Sequence, residues 1–255
     1  MIRALLLDLS GVLYVGRQAL PGARDAVTRL QTAGMPVRYV TNTTRTPRNT
    51  ILRQLSDLGF AIRPDELLTA PDAARRYLAD HSLSAFALIH PALRPEFADL
   101  IHAGADAVLI GDAGHEFTYE NLNRAFRLLA DGAPLIAMGR NRYFRETDGL
   151  SLDAGPFITA LEYAADTEAI VTGKPAAAFF GAAAADLGCE ADEILMVGDD
   201  VEADVLGALD AGLQAALVRT GKFRPGDEQR LQGTTAQTFD DLNAVVEWVL
   251  EGGME

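Results

Sequence analysis

Apolar positions along the chain fall into short continuous runs, separated by stretches in which they recur at helical spacing. "IRALLLD", "PVRYVTN", "EILMVGDD" and "QAALVRTG" carry runs of the first kind, and "AIVTGKP" adds a shorter one. A run that does not alternate predicts a strand buried on both faces, as in a parallel sheet covered by helices. Between the runs, "GARDAVTRLQTAG" places Ala23, Ala26, Val27 and Leu30 on one helical face, with Gly34 as a stop. Pro47 opens a second helix through "TILRQLSDLG", which ends at Gly59. "AAAFFGAAAADLG", "DVLGALDAG" and "DDLNAVVEWVLEG" are further helices. Strand and helix in alternation predict an α/β fold with a doubly wound, mostly parallel, Rossmann-like core sheet.

The middle of the chain repeats the pattern with its own units. "AFALIHP", "DAVLIGD" and "PLIAMGR" read as strands, and "TYENLNRAFRLLADG" and "GPFITALEYAAD" as helices. This is material for an inserted α/β domain. We place it at residues 77–170, with the core domain made of 1–76 and 171–255. The length of 255 residues accommodates both.

Composition narrows the function. Apolar residues at 49% and charged ones at 23% suit a globular protein, while a formal net charge of −14 argues against nucleic acid or an anionic membrane as partner. A small anionic substrate stays compatible, because a local site can invert the global field. Cys189 is the single cysteine, so no internal disulfide can form, which fits a reducing compartment. Asp8 interrupts the N-terminal apolar run, no cleavage site follows it, and no uncharged stretch is long enough to span a bilayer. The expectation is a cytoplasmic protein.

Ligands of open parallel sheets bind beyond the carboxyl ends of the strands. The runs deliver Asp8, then Thr41 and Asn42, then Lys174, then Asp199 and Asp200 to such ends in one sheet, with Asp204 on the following turn. Each alone is an ordinary turn or cap residue. Together they make a chemical set. Clustered carboxylates repel, so a hard cation such as Mg²⁺ stabilises them. A lysine adds a second positive charge, and a hydroxyl and backbone amides can hold phosphoryl oxygens. One carboxylate could then attack phosphorus. Other chemistries lack their marks. No G-x-G-x-x-G follows the first strand, "TGKP" and "TGKF" lack the P-loop spacing, and no H-E-x-x-H or paired cysteine suggests zinc. The histidines 81, 90, 102 and 115 all lie in the middle, and only His115 in "GDAGHEF" is of interest.

In this order, "DLSG", "VTN", "GKP" and "VGDDVEAD" resemble the four motifs of the haloacid dehalogenase superfamily of phosphohydrolases. The insertion between the second and third motifs matches the family's type-two (C2a) cap. "DLSGVLY", "RNRYFRETDGLSLDAGPFITALEYA" and "VRTGKFRP" are similar to the phospholysine phosphohistidine inorganic pyrophosphate phosphatase branch. The resemblance covers essentially the whole chain. It implies Asp8 as nucleophile and Mg²⁺ ligand, the Ser10 backbone carbonyl and Asp199 as further ligands, Asp204 in the metal set as an orienting group, and Asp200 as either a ligand or an orienting group. It implies Thr41 and Asn42 at the phosphoryl oxygens and Lys174 as the balancing charge. A small phosphorylated substrate and a homodimer through the cap are the partners it implies.

Two departures stand out. Most family phosphatases carry Asp where Ser10 stands, and that acid protonates the leaving group. A serine hydroxyl is a very weak acid and base near neutrality. After "LIAMG", many relatives read Thr-Asn-x-Asp, where this chain has Arg140 and Asn141. The resemblance makes these two residues candidates for substrate choice. The rival expectations are a phosphate-ligand binding protein that has lost catalysis and, more remotely, a receiver domain.

Overall fold

The computed structural model describes residues 1–102, 104–145 and 149–252. Residues 146–148 of the "RNRYFRETDGLSLDAGPFITALEYA" stretch lie outside the described residues.

The core sheet has six strands in the order Gln237–Phe239, Gln214–Val218, Ile194–Gly198, Ala4–Asp8, Val37–Thr41 and Leu67–Thr69. The first five run parallel to one another. Every residue of Ala4–Asp8 is buried, which is why this strand reads as an unbroken apolar run ending in one acid. Leu5 and Leu7 pack into a core with Ala26, Val27, Leu30, Val197 and Val245. Helix Ala23–Thr32 supplies Ala23, Ala26, Val27 and Leu30 to that core, the face expected from spacing. It lies against helix Leu242–Leu250, whose first turn is capped by the Asp241 side chain accepting from the Ala244 amide at 2.9 Å.

From Ala4–Asp8 the chain continues to one side through Val37–Thr41, whereas its other neighbour is the late strand Ile194–Gly198. The strand order reverses at this point, and in open parallel sheets ligands bind beyond the strand ends at such a reversal. Register puts Asp8 beside Val40 and Leu7 beside Val197, so Asp8, Thr41 and Asp199 arrive at the same end of the sheet.

A second sheet has four parallel strands in the order Ile170–Val171, Leu135–Ala137, Ala107–Ile110 and Ala85–Leu88. Helix Ala70–Asp80 shares one apolar cluster with this sheet through Ala70, Ala74 and Leu78. Helices Tyr119–Ala130 and Ala154–Ala165 form another with Ala125, Leu129, Ile158 and Leu161. By compactness, one unit comprises residues 1–41, 51–68 and 174–255, and the other 42–50 and 69–173. The second unit thus takes in Ala70–Asp80 and the segment 42–50, where sequence placed its edges at residues 77 and 170. Arg45 and Arg48 of that segment are tied to Asp112 and Asp72 of the same unit by ion pairs.

Two sequence expectations are corrected. "AIVTGKP" forms only the strand Ile170–Val171, and it pairs with Leu135–Ala137 rather than in the core sheet. Lys174 therefore does not come from a core strand end. Two apolar residues satisfy any parallel edge, so periodicity could not say which sheet they join. "DVLGALDAG" is not a regular α-helix throughout. Its first three residues end a wider π-helical turn, Val201–Leu206, and it becomes α-helical at Gly207–Asp210. Among the described residues no helix is long and apolar enough to cross a membrane.

Candidate active site

The strand Ala4–Asp8 carries Asp8 to the sheet end, and the strand Ile194–Gly198 carries Asp199. The π-helical turn after it directs Asp204 back to the same place, and Asp204 is only 1% exposed. One oxygen from each of Asp8, Asp199 and Asp204 lies within 4.8 Å of the others. Lys174, 3% exposed, donates from Nζ to Asp8 Oδ1 at 2.5 Å and to Asp204 Oδ1 at 2.6 Å. Thr41 is buried at the end of its strand. Ser10 is exposed, in the turn that leads from Asp8 into a short hairpin, Tyr14–Val15 with Gln18–Ala19.

Three buried carboxylates cluster here, with the Lys174 ammonium on two of them, Asp8 and Asp204, and the Lys222 charge acting on Asp199. Burial first, then the charges of Asp8 and Asp204, push the Asp199 carboxyl up to about 7. Burial also raises Asp204, to about 6, against the opposing pull of Lys174. Lys174 itself is pushed upward by Asp204 and Asp8, which outweigh its desolvation. Such a cluster is short of positive charge, which a divalent cation could supply.

Hydrogen bonding sorts the carboxylates. Asp204 has both oxygens engaged, Oδ1 by Lys174 and Oδ2 by the Asp200 amide at 3.2 Å. Asp200 is likewise occupied. Its Oδ1 accepts from the Glu202 and Ala203 amides, and its Oδ2 lies 3.1 Å from Lys222 Nζ. Asp8 Oδ2 and Asp199 Oδ1 have no hydrogen-bond donor among the described residues. These two oxygens fit a cation. Asp204 and Asp200 fit an orienting role.

The residues of the other unit are placed within it. Asn42 Oδ1 would lie 2.9 Å from a Cβ added at Gly173. Arg140 pairs with Glu162 at 2.7 Å, and the Asn141 carbonyl accepts from the Gly155 amide at 3.0 Å. His115 is exposed.

Sequence reasoning missed the loop Thr220–Lys222. The Lys222 amide donates to Asp199 Oδ2 at 2.6 Å, and the Thr220 hydroxyl donates to the Gly11 carbonyl. In the sequence "TGKF" lacks the P-loop spacing and belongs to the "VRTGKFRP" resemblance, and neither gives it a place in the site. Its nearness to Asp199 is a tertiary fact, with no signal in spacing.

A parallel α/β sheet with a buried carboxylate–lysine cluster at its switch point defines a class, α/β enzymes whose site lies beyond the strand ends. The chain belongs within that class to the haloacid dehalogenase-like hydrolase family. Family models described as haloacid dehalogenase-like hydrolase and as hydrolase-like of the same family match residues 5–101 and 171–245. Haloacid dehalogenase-like hydrolase domain-containing protein 2 of Bos taurus is 42% identical over 250 residues, covering 98% of this chain and 96% of that protein. Phospholysine phosphohistidine inorganic pyrophosphate phosphatase of Xenopus laevis is 41% identical over 256 residues, covering 98% and 95%. Among solved structures, the 4-nitrophenylphosphatase of Thermotoga maritima superposes with a TM-score of 0.87 at 25% identity, covering 96% of this chain and 97% of that one. The sequence-based family assignment and α/β fold class therefore hold.

Proposed function

We propose that the protein is a Mg²⁺-dependent phosphohydrolase that works through an aspartyl-phosphate on Asp8. The observation that carries this reading is the pairing of Asp8 with buried Lys174 beside Asp199 and Asp204. Asp8 and Asp199, with the Ser10 carbonyl, would hold the ion, and Asp204 would orient them. When bound, Mg²⁺ supplies positive charge to the cluster and to the phosphoryl oxygens.

A carboxylate oxygen of Asp8 attacks phosphorus as the bond to the leaving group breaks. Lys174, held between Asp8 and Asp204, balances the charge of the nucleophile and the phosphate. Thr41 and the Asn42 amide bind the remaining phosphoryl oxygens. Water then attacks the aspartyl-phosphate, losing its proton to solvent, and phosphate departs with Asp8 restored.

Ser10 narrows the substrates. Without a carboxylic acid at that position, the leaving group departs with little protonation from the protein. Pyrophosphate, phosphorus–nitrogen bonds, acyl phosphates and aryl phosphates meet that condition, whereas alkyl esters such as sugar phosphates do not. The names of the relatives, pyrophosphate, phospholysine, phosphohistidine and nitrophenyl, fall on the same side. In a Mg²⁺-containing phosphate panel, pyrophosphate and aryl phosphates are expected to turn over far faster than sugar phosphates. The reverse order would defeat the leaving-group argument. Arg140→Ala in the same panel is expected to change the order of preference and leave the Mg²⁺ requirement intact.

A second reading, phosphate-ligand binding without catalysis, is favoured by Ser10 alone. Formation of a labelled phosphoryl group on Asp8 distinguishes the two, because only the hydrolase reading requires it.

The raised carboxyls set a pH dependence. Asp199 rises from 3.8 to about 7 on folding, so its ionisation disfavours the metal-free fold above pH 7 and this penalty fades as pH falls toward 4. Asp204 acts in the same direction. Metal-free protein is therefore expected to melt at a higher temperature at pH 6 than at pH 8, and Mg²⁺ to raise the midpoint more at pH 8, where the carboxylates are ionised. Equal midpoints and equal Mg²⁺ shifts at both pH values would contradict this.

A further inference from the structure

The loop Thr220–Lys222 takes no part in the chemistry above, yet it touches the cation-facing residues at several points. The Thr220 hydroxyl donates to the Gly11 carbonyl, one residue past Ser10. The Lys222 amide donates to Asp199 Oδ2 at 2.6 Å. Lys222 Nζ holds Asp200, whose own amide donates to Asp204 at 3.2 Å. The Asp199 carboxylate is also wedged between two glycines of positive φ. A Cβ at Gly11 (φ +93°) would lie 1.9 Å from Asp199 Oδ2, and one at Gly221 (φ +60°) would lie 2.1 Å from it. Gly221 packs so closely on Gly11 that its Cβ would stand 2.4 Å from the Gly11 Cα. One oxygen of Asp199 is thus turned into the loop, which leaves Oδ1 facing away from it.

We infer that Thr220 and Lys222 are positioning residues for the cation, presetting Asp199 and the Ser10–Gly11 turn in one arrangement before the ion arrives. The inference rests on the Mg²⁺ reading above and deepens it. Two ligand-bearing segments far apart in sequence, Asp8 with the Ser10 carbonyl and Asp199, must agree in position for a cation to be held. The Thr220 bond joins the first segment to the loop, and the Lys222 amide joins the loop to Asp199. Remove the Thr220 hydroxyl and the loop is free to shift relative to Gly11, taking the Lys222 amide with it.

The test uses the full chain without substrate. Mg²⁺ affinity is measured by calorimetry, and amide hydrogen exchange at Lys222 is measured in metal-free protein. Thr220→Val keeps the shape and removes the donor, while Thr220→Ser keeps the donor. Thr220→Val is expected to weaken Mg²⁺ by about 10- to 100-fold and to speed exchange at Lys222. Thr220→Ser is expected to stay near wild type in both. Far-UV circular dichroism checks the fold, and Thr220→Ala replaces the valine variant if that one is unfolded. Unchanged exchange at Lys222 without the donor, or equal Mg²⁺ affinity in the donor-free and donor-bearing variants, overturns the inference. Wild-type protein that binds no Mg²⁺ overturns the proposed cation reading instead, and the exchange measurement still decides whether Thr220 holds the loop.

Discussion

Asp8→Asn is expected to reduce phosphatase turnover by about four to six orders of magnitude while the chain remains folded. The substitution changes one atom and little volume. The amide oxygen can still accept from Lys174, which also keeps its bond to Asp204 at 2.6 Å. What disappears is the negative oxygen that attacks phosphorus. One of three mutually repelling buried carboxylates also disappears, so the metal-free variant is expected to melt no lower than wild type. Initial rates with pyrophosphate and an aryl phosphate, together with thermal melting, check both halves. Substantial residual turnover would remove Asp8 from the nucleophile role, and a loss of fold would make the activity result uninformative about chemistry while refuting the charge argument.

Lys174→Met is expected to be damaging in a different way. The side chain keeps its length and loses the ammonium that donates to both Asp8 and Asp204. Breaking a buried ion pair by removing one partner costs about 3–5 kcal/mol, because the other charge is left uncompensated. Here two carboxylates lose their partner together. Metal-free Lys174→Met should unfold at clearly lower denaturant than wild type, and acidification should restore part of the loss by protonating the carboxylates. Mg²⁺ should restore another part, since it supplies charge to the same cluster. Catalysis should stay low even where folding is restored, as the charge beside the nucleophile is gone. Denaturation curves at pH 6 and pH 8, with and without Mg²⁺, measure this. A variant as stable as wild type under all four conditions would mean that Lys174 does not compensate the cluster.

The two expectations differ in kind. Asp8 stands at the end of a strand buried throughout, so its position follows from the sheet. Lys174 ends no strand of the core sheet, and its ammonium is held by Asp8 and Asp204. Its placement depends on ion pairing, which makes it the more sensitive to loss of its partners.

Much of this arrangement was legible in the sequence. Unbroken apolar runs marked the strands, because a residue covered on both faces of a sheet must be apolar at every position. The helix face Ala23, Ala26, Val27 and Leu30 followed from a period of 3.6. An acid or hydroxyl at the end of such a run stood out against its neighbours, and so Asp8, Thr41 and Asp199 could be named. Only the tertiary structure decided that Ile170–Val171 joins the second sheet, that Asp200 and Asp204 spend their oxygens on amides and lysines, and that Thr220–Lys222 grips Asp199. The reason is physical. Periodicity records how deeply each residue is buried, but not which partner buries it. The grip on Asp199 is made by a backbone amide, which every residue but proline carries, so no side-chain pattern announces it.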